Sequence, residues 1–552
     1  MTAPLKKARL RERSIVLLFV LLFALTMAGF TGHAQAADDA AARCAALTAL
    51  DLGPSKVTKA EILSGETAAR VGLDQQALAR QLIDLPAFCR AVVFTSGGQD
   101  SAINTEVWLP VANWNGRFLG KGNGGFAGRL SYGALADGLR HGFAVGHTDM
   151  GTGPKTDGSG AIGHPVKWYD FGWRSTHSMT VAGKAIAEKF YAAAPTYSYF
   201  QGCSTGGYQG LRLAQFFPDD YDGILSGNAG NRRAAKIIAQ TYYGMQVKLN
   251  QAGKLSVAKL MAMHKDVLKQ CAGVGGGLKD DPFLANPYAC DWKPERLACK
   301  GAETDSCLTP AQLKLANIFY SPIVLKSTGE TIWPGRPPGA ELGWAFDGRG
   351  GELMNVPEAG DPPHAAVIRS ILGENHDFRK SDWDRDVDTF IKIQGMLLGD
   401  GKNTDLSAFQ KSGGKLLSTF GWSDGSTSYD MTGYYDAVEA DLKRRTGASD
   451  EQAASEIRGF TRLFMAPGMG HCGGGNGPNV FDALSPLMKW VEEGTAPERI
   501  IAAWKPSPVG TPVPFTASLA RAMTRPLCVY PLVAHYDGSG SKDDAASFTC
   551  RR

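Results

Sequence analysis

The sequence has 552 residues, of which 43% are hydrophobic and 20% charged, an ordinary globular composition with room for more than one hydrophobic core. Residues 1–36 hold five basic residues and one acidic residue, so the 58 basic and 54 acidic residues of the whole chain fall to 53 of each in the remainder. A chain without a basic excess is not typical of nucleic-acid-binding proteins, and that class is excluded.

The first 36 residues have the pattern of a secretory signal peptide. A basic head ends at Arg13, an apolar centre runs from Ile15 to Ala28, and residues 34–36 (Ala-Gln-Ala) form a small-residue cleavage site. We therefore expect cleavage before Ala37 and a mature protein that is secreted or periplasmic. The apolar run is too short to span a bilayer comfortably and no later run approaches its length, so no membrane anchor is expected after cleavage.

Ten cysteines follow residue 36, and an even number in an exported chain argues for disulfides rather than metal ligands. The sequence has no C-x-x-C pair and no H-E-x-x-H motif. Spacing does not fix the connectivity, although pairing of near neighbours is reasonable for Cys271–Cys290, Cys299–Cys307 and Cys528–Cys550. The other four cysteines are Cys44, Cys89, Cys203 and Cys472.

Short apolar runs in the first third of the chain predict the early strands of a sheet. A helical stripe at Gln75–Leu82 comes before them. The predicted strands are Ala91–Phe94, Thr105–Leu109, Arg117–Leu119 and Phe143–His147.

A glycine-rich loop at Gly120–Gly128 follows the third of these strands and contains G-x-G-x-x-G. A dinucleotide site is rejected because the chain is exported, no long apolar helix follows, and no βαβ unit with a ribose-binding acid is evident. A glycine-rich loop after an early strand instead favours donation of backbone N–H groups to an oxyanion.

A strand–turn–helix pattern at residues 197–214 carries the main catalytic signal. Tyr197–Phe200 predicts a strand, and Leu211 and Ala214 begin a helical stripe. Between them, residues 202–206 have the form G-x-S-x-G. Such a turn presents its serine at the apex, beside helix-start amides that favour negative charge. Ser204 is therefore the candidate nucleophile.

Strands that alternate with helices predict an α/β fold with a mostly parallel sheet. From residue 231 to about residue 413 this alternation stops and only short helical stripes recur. This segment also has proline-rich pieces, four cysteines and many aromatic residues. We interpret 231–413 as an inserted lid domain, and 37–230 with 414–552 as the catalytic domain. The further elements predicted in the catalytic domain are a helix at Ser178–Ala192, strands at Tyr221–Gly227, Lys415–Phe420 and Thr461–Met465 (the last strand), and a terminal helix at Leu484–Glu493.

A serine nucleophile needs a base to take its proton and an acid to orient that base. In α/β-hydrolases the order along the chain is Ser, then Asp or Glu, then His, each in a loop after a core strand. Asp424 and His471 satisfy this order in glycine-rich loops. His147 and Asp149 precede the serine. His535 is the only serious rival, and it does not lie in a glycine-rich loop.

Cysteines lie beside both the candidate nucleophile and the candidate base. Cys203 directly precedes Ser204, and Cys472 directly follows His471. A bridge between them would hold the Ser204 hydroxyl beside the His471 imidazole, although about half of the chain separates the two residues. Chain entropy alone would give such a bond on the order of 5 kcal/mol.

Together these features resemble the tannase and feruloyl esterase family of α/β-hydrolases, which includes a bacterial hydrolase of mono(2-hydroxyethyl) terephthalate. The resemblance covers the whole mature chain. The segments that carry it are Phe-Cys-Arg at 88–90, Glu-Val-Trp-Leu-Pro at 106–110, Trp-Asn-Gly at 114–116, Gly-Asn-Gly-Gly at 122–125, residues 202–207 and Gly-His-Cys-Gly-Gly-Gly at 470–475.

The resemblance implies an α/β-hydrolase core with Ser204 as nucleophile, His471 as base and Asp424 as its orienter. It also implies the Cys203–Cys472 and Cys44–Cys89 disulfides. Oxyanion donors are implied at the backbone amides of Thr205 and of Gly124 or Gly125, and we prefer Gly125.

Family members often hold calcium in the lid, in an aspartate-rich segment. The matching residues here, 271–282, form a shorter segment in which the aspartates that would be ligands are absent. A hard cation needs several oxygen ligands, so we expect the calcium site to be lost and no cofactor to be present.

The sequence therefore predicts a secreted serine esterase that hydrolyses small aromatic acid esters, of feruloyl or galloyl type, through an acyl-enzyme. One alternative is a hydrolase of terephthalate- or phthalate-type monoesters. A second alternative is a non-catalytic protein that binds aromatic ligands on the same fold. The sequence makes no prediction of the oligomeric state.

Overall fold

The computed structural model describes residues 39–65, 84–345, 361–378, 382–400, 403–425, 428–506 and 522–552. The expected signal peptide and the helical stripe Gln75–Leu82 lie outside these residues. Within the described ranges, no helix has the length and apolar character needed to cross a membrane.

The strands follow the sequence predictions closely in the core of the protein and add several short pairs. Their bounds are β1 (Ser55–Leu63), β2 (Phe88–Thr95), β3 (Ile103–Pro110), β4 (Arg117–Lys121), β5 (Ala144–Thr148), β6 (Tyr197–Cys203), β7 (Gly223–Gly227), β8 (Ile323–Val324), β9 (Thr331–Trp333), β10 (Lys415–Gly421), β11 (Thr461–Ala466), β12 (Arg499–Ala503), β13 (Thr524–Cys528), β14 (Val533–Tyr536) and β15 (Phe548–Arg551).

Nine of these strands form one sheet, in the order β1-β2-β3-β5-β4-β6-β7-β10-β11. The pairs β1–β2, β2–β3 and β3–β5 are antiparallel, and every pair from β5 to β11 is parallel. Strands β7 and β11 are buried along their whole length, as expected for parallel strands covered on both faces. The prediction of an α/β fold with a mostly parallel sheet is confirmed.

Helices connect the parallel strands and cover the sheet. Their bounds are α1 (Tyr132–Arg140), α2 (Pro165–Tyr169), α3 (Ser175–Tyr191), α4 (Thr205–Phe216), α5 (Arg233–Leu249), α6 (Val257–Cys271), α7 (Pro310–Tyr320), α8 (Ala365–Leu372), α9 (Trp383–Leu398), α10 (Ser407–Lys411), α11 (Ser428–Thr446), α12 (Asp450–Phe460) and α13 (Leu484–Glu493).

Alternate residues of the central strands enter two hydrophobic clusters, one on each face of the sheet. In β7, for example, Ile224 joins the cluster that contains residues of α3, α4, α11 and α12, whereas Leu225 joins the cluster with residues of α1 and α13. The sheet is therefore a buried middle layer, and the carboxyl ends of its parallel strands form one edge where loops meet.

Segment 231–413 contains α5 to α10 and the short β8–β9 pair, and it contributes most residues of a third hydrophobic cluster. The long helices of this segment extend further along the chain than the short helical stripes that the sequence indicated. Its interpretation as a lid stays a prediction.

Helix α4 begins at Thr205, directly after the serine, so helix-start amides lie beside Ser204 as predicted. One detail of the sequence prediction is wrong. Strand β11 is the last strand of the large sheet but not of the chain, since β12–β13 and β14–β15 form two further antiparallel pairs.

Candidate active site

Ser204 lies at the sharp turn between β6 and α4, in a conformation that is rare for residues with side chains. Its backbone angles are φ 62° and ψ −116°. The N–H of Ser204 donates to the carbonyl oxygen of Gly227 at 2.9 Å, which ties the turn to the end of β7. A strained serine between strand and helix is the arrangement of a nucleophile elbow.

Glycines are required around this turn because backbones approach each other there. A Cβ atom at Gly202 would lie 2.6 Å from the backbone of Gly206, and one at Gly207 would lie 2.3 Å from the carbonyl oxygen of Gly227. Contacts this short exclude any side chain, so packing requires glycine at position 202, inside the G-x-S-x-G pattern, and at position 207, next to it.

His471 and Asp424 meet at the edge formed by the strand ends. Asp424 follows β10 and is 3% exposed, and its Oδ2 lies 2.7 Å from Nδ1 of His471. An ionised carboxylate only accepts, so Nδ1 carries the proton of this hydrogen bond and the lone pair of the neutral ring is on Nε2.

The structure explains why the Asp424 carboxylate is ionised despite its burial. Burial alone would raise its pKa, but the charge and hydrogen bond of His471 reverse this effect, and the pKa is held below its ordinary value. The charge of Lys236 and the Nδ2 of Asn228, which donates to Oδ2 at 2.9 Å, act in the same direction.

The Cys203–Cys472 disulfide brings the serine turn and the histidine loop together. The two Cα atoms are 6.0 Å apart, although the residues are separated by 269 positions in sequence. Ser204 and His471 are the direct neighbours of these cysteines. The structure thus brings the three residues of the predicted triad to one place.

The residues predicted to supply oxyanion amides lie beside the serine. Thr205 is the first residue of α4 and is buried, and its Oγ1 donates to the carbonyl oxygen of Gly125 at 2.6 Å. A Cβ atom at Gly124 would meet nothing within 4 Å, so the backbone there borders open space. Gly125 has φ +59°, a left-handed conformation that suits glycine.

The competing residues lie elsewhere in hydrogen-bonded structural positions. His147 is buried in β5, and burial together with the charge of Lys121 lowers its pKa to about 4. Asp149 accepts hydrogen bonds from the backbone N–H groups of Asn104 and Gly151. His535 lies in β14 opposite Thr549.

All ten cysteines form disulfides in the structure. The pairs are Cys44–Cys89, Cys203–Cys472, Cys271–Cys290, Cys299–Cys307 and Cys528–Cys550. These are the pairs that the resemblance implied and the near-neighbour pairs that the spacing made reasonable.

The residues that match the family's calcium segment do not fit a calcium ion. Residues 271–282 contain two carboxylates, and both are paired with cations: Asp281 with Arg525 at 2.9 Å and Asp280 with Lys542 at 3.6 Å. Elsewhere in the described part of the chain, no group of three or more His, Cys, Asp or Glu side chains is arranged to hold a metal ion.

Sequence reasoning missed several polar residues that surround the site. Asn228 supports Asp424, and Arg233, at the start of α5, donates to Gly125 and Thr205. Asn228 directly follows β7, and a polar residue at the carboxyl end of a parallel strand is a signal that would have found it. No comparable sequence signal marks Arg233.

The chain is similar to known esterases over nearly its whole length. The family model described as "Tannase and feruloyl esterase" matches residues 89–551. An uncharacterized esterase of Xanthomonas campestris pv. campestris is 33% identical, with 93% of this chain and 91% of the relative covered. The mono(2-hydroxyethyl) terephthalate hydrolase of Piscinibacter sakaiensis is 31% identical, with 90% and 89% covered.

A solved structure has the same overall arrangement. The crystal structure of feruloyl esterase B from Aspergillus oryzae aligns with a TM-score of 0.77 and 26% identity, over 93% of this chain and all of that one. The similarity therefore extends over both the sheet and segment 231–413.

Proposed function

The chain belongs to the tannase and feruloyl esterase family, and on this premise we propose that it is a serine esterase for esters of aromatic acids. Ser204 is the proposed nucleophile, His471 the base and Asp424 the residue that orients it. The observation that carries the proposal is the junction at the Cys203–Cys472 disulfide, where the strained serine turn meets a histidine hydrogen-bonded to a buried carboxylate.

In the proposed reaction, the Ser204 hydroxyl attacks the ester carbonyl while Nε2 of His471 takes its proton. Asp424 stabilises the imidazolium through Nδ1. The oxyanion of the tetrahedral intermediate is bound by backbone N–H groups of Thr205 and Gly125. His471 then protonates the leaving alcohol, and water hydrolyses the acyl-enzyme by the same steps in reverse order.

The proposed substrates are small esters of feruloyl or galloyl type, after the description of the family. Monoesters of terephthalate are the second candidate, because a relative that covers nearly the whole chain is named for that reaction. No cofactor takes part in the proposed mechanism. We also propose that the protein works outside the cytoplasm, since disulfides persist in oxidising compartments.

The test is to measure acid release from methyl ferulate, methyl gallate, mono(2-hydroxyethyl) terephthalate and a p-nitrophenyl ester. We expect wild type to hydrolyse at least one aromatic acid ester and Ser204→Ala to lose about 10⁴-fold or more in kcat. Binding of these esters by wild type without release would favour the alternative of a non-catalytic binding protein.

A further inference from the structure

Arg233 is a buried cation at the first turn of α5, with no role in the proposed proton transfers. It is 4% exposed. A buried guanidinium is costly unless its N–H groups are well paired, so the groups that it contacts indicate what it does.

The guanidinium contacts both residues proposed to supply the oxyanion amides. Nη1 donates to Oγ1 of Thr205 at 3.1 Å, and Nη2 donates to the carbonyl oxygen of Gly125 at 2.9 Å. Since the Thr205 hydroxyl also donates to the Gly125 carbonyl at 2.6 Å, three hydrogen bonds close a ring among the three residues.

Aromatic rings hold the guanidinium in this place. Its central carbon lies 4.6 Å from the ring centroid of Phe126, the residue next to Gly125, and 5.5 Å from that of Phe171. Arg233 is close enough to the buried Asp400 to lower the pKa of that carboxyl, which balances part of its charge. The side chain therefore has a single packed position.

Gly125 is held through its carbonyl oxygen, which accepts from both Arg233 and Thr205, whereas its neighbours bind elsewhere. The carbonyl of Phe126 accepts from Oγ1 of Thr152 at 2.7 Å, and the N–H of Ala127 donates to the carbonyl of Gly124 at 3.0 Å. Thr205, in contrast, is fixed by its helix. An oxyanion hole built from two separate segments works only if the distance between its two amides is fixed.

We propose that Arg233 is a positioning residue of the oxyanion hole. It links the loop after β4 to the start of α4, and its positive charge lies behind the site where negative charge develops. This inference rests on the proposed function. It also means that segment 231–413 contributes to the rate of the chemical step through its first helix.

The variants Arg233→Lys and Arg233→Met test the proposal. Lysine retains the charge but not the forked pair of donors. We expect kcat to fall about 10- to 100-fold in both variants with KM within about twofold of wild type, since a misplaced oxyanion donor affects the transition state and not the bound substrate. Arylboronic acids, which form a tetrahedral adduct with the serine, should lose affinity by a similar factor, whereas the aromatic acid product should not.

Arg232→Met is the matched control. Arg232 also pairs with a carboxylate, that of Asp430, and lies over the Trp333 ring, but none of its named contacts reaches the loop or Thr205. We expect its kcat within about twofold of wild type. If Arg233→Met does not fold, Thr205→Val serves instead, because it breaks the same ring of hydrogen bonds and should lower kcat. The double variant Thr205→Val/Arg233→Lys should then lose less kcat than the product of the two single fold losses.

Unchanged kcat in folded Arg233 variants, or the same loss in Arg232→Met, would overturn the proposal. Ser204→Ala is measured in the same assay. If wild type hydrolyses the ester and Ser204→Ala does not, the proposed function holds whatever the Arg233 variants show. If both are inactive or both are equally active, the proposed function itself fails.

Discussion

Asp424 is a carboxylate that the fold keeps ionised in a buried place. Its partners are Nδ1 of His471 and Nδ2 of Asn228, and its lowered pKa follows from these contacts and from the His471 charge. A group of this kind determines which nitrogen of the imidazole carries the proton.

Replacement of Asp424 by asparagine should therefore lower kcat by about 10³- to 10⁴-fold, because the amide favours the wrong tautomer of His471. The measurement is kcat on the best ester of the panel, with circular dichroism to show that the variant folds. Asp430→Asn is the matched control, since Asp430 is also buried and pairs with Arg232 outside the triad. A loss of less than tenfold in Asp424→Asn would contradict the assigned role.

At the residue scale, the sequence pointed to the residues whose neighbours are distinctive. Ser204 has glycines around it, and both Ser204 and His471 have a cysteine next to them. Arg233 and Asn228 have no such neighbours. Arg233 contacts a residue 108 positions away, and Asn228 one 196 positions away. Such contacts exist only after the strands are aligned in the sheet, so no local pattern marks Arg233, and only its place at the end of β7 marks Asn228.

At the element scale, the Cys203–Cys472 disulfide joins the end of β6 to the loop after β11. Its removal in Cys203→Ala/Cys472→Ala should lower kcat at least tenfold under conditions where the fold persists, because a displacement of about 1 Å between nucleophile and base costs up to 100-fold. The apparent melting temperature should fall as well. Activity and unfolding are measured on the same sample across a temperature series.

Cys299→Ala/Cys307→Ala is the control for the disulfide prediction. That bond closes a short loop, with a sequence separation of 8, within segment 231–413. We expect kcat close to wild type in this variant. If both double variants lose activity only in parallel with unfolding, the disulfide beside the triad has no alignment role.

Helix α5 shows why the sequence underestimated the helices of segment 231–413. Thirteen of its 17 residues are buried. A helix that is covered on nearly all sides has no exposed polar face, so the alternation that marks an amphipathic helix is weak. Eight of the nine strands of the large sheet, in contrast, were predicted from short apolar runs. Strand β1, in which charged residues interrupt the apolar ones, was missed.

The contact between α9 and α5 predicts a pH-dependent stability. Asp400 follows α9, and burial raises its pKa to about 6, although Arg212, Arg233 and the N–H of Ala234 oppose this effect. A raised folded-state pKa means that the protonated form is favoured. The contribution of Asp400 to the free energy of unfolding is full below the unfolded-state pKa, near 4, and is lost as pH rises through the folded-state pKa of about 6.

Asp400→Asn should therefore change the pH dependence of the melting temperature. The decrease in melting temperature between pH 4 and pH 7 that wild type owes to this carboxyl should be absent in the variant. Asp405→Asn is the control, because hydrogen bonds from Ser407 lower the pKa of Asp405, and loss of that group should have a small effect of opposite sign. Parallel pH curves for wild type and Asp400→Asn would show that Asp400 does not titrate in this range.

At the scale of the whole molecule, contacts distant in sequence tie segment 231–413 to the carboxyl-terminal strands. Asp281 and Arg525 are both 3% exposed in their side chains and form an ion pair at 2.9 Å. The guanidinium also lies 4.3 Å from the ring centroid of Phe548 in β15. A buried pair of this kind joins two parts of the chain, and removal of one partner leaves the other as an uncompensated buried charge.

Arg525→Met should lower the free energy of unfolding by about 3–5 kcal/mol, because the Asp281 carboxylate stays buried without its partner. Asp281→Asn/Arg525→Met should lose less, since neither member of the ion pair then carries a charge. Wild type and both variants are compared by thermal unfolding at one pH and salt concentration.

Because both carboxylates of residues 271–282 pair with protein cations, EDTA or added calcium should shift the wild-type melting temperature by less than about 1 °C. A clear drop with EDTA would show that a bound metal stabilises this junction, and a double variant less stable than Arg525→Met would contradict the ion-pair prediction.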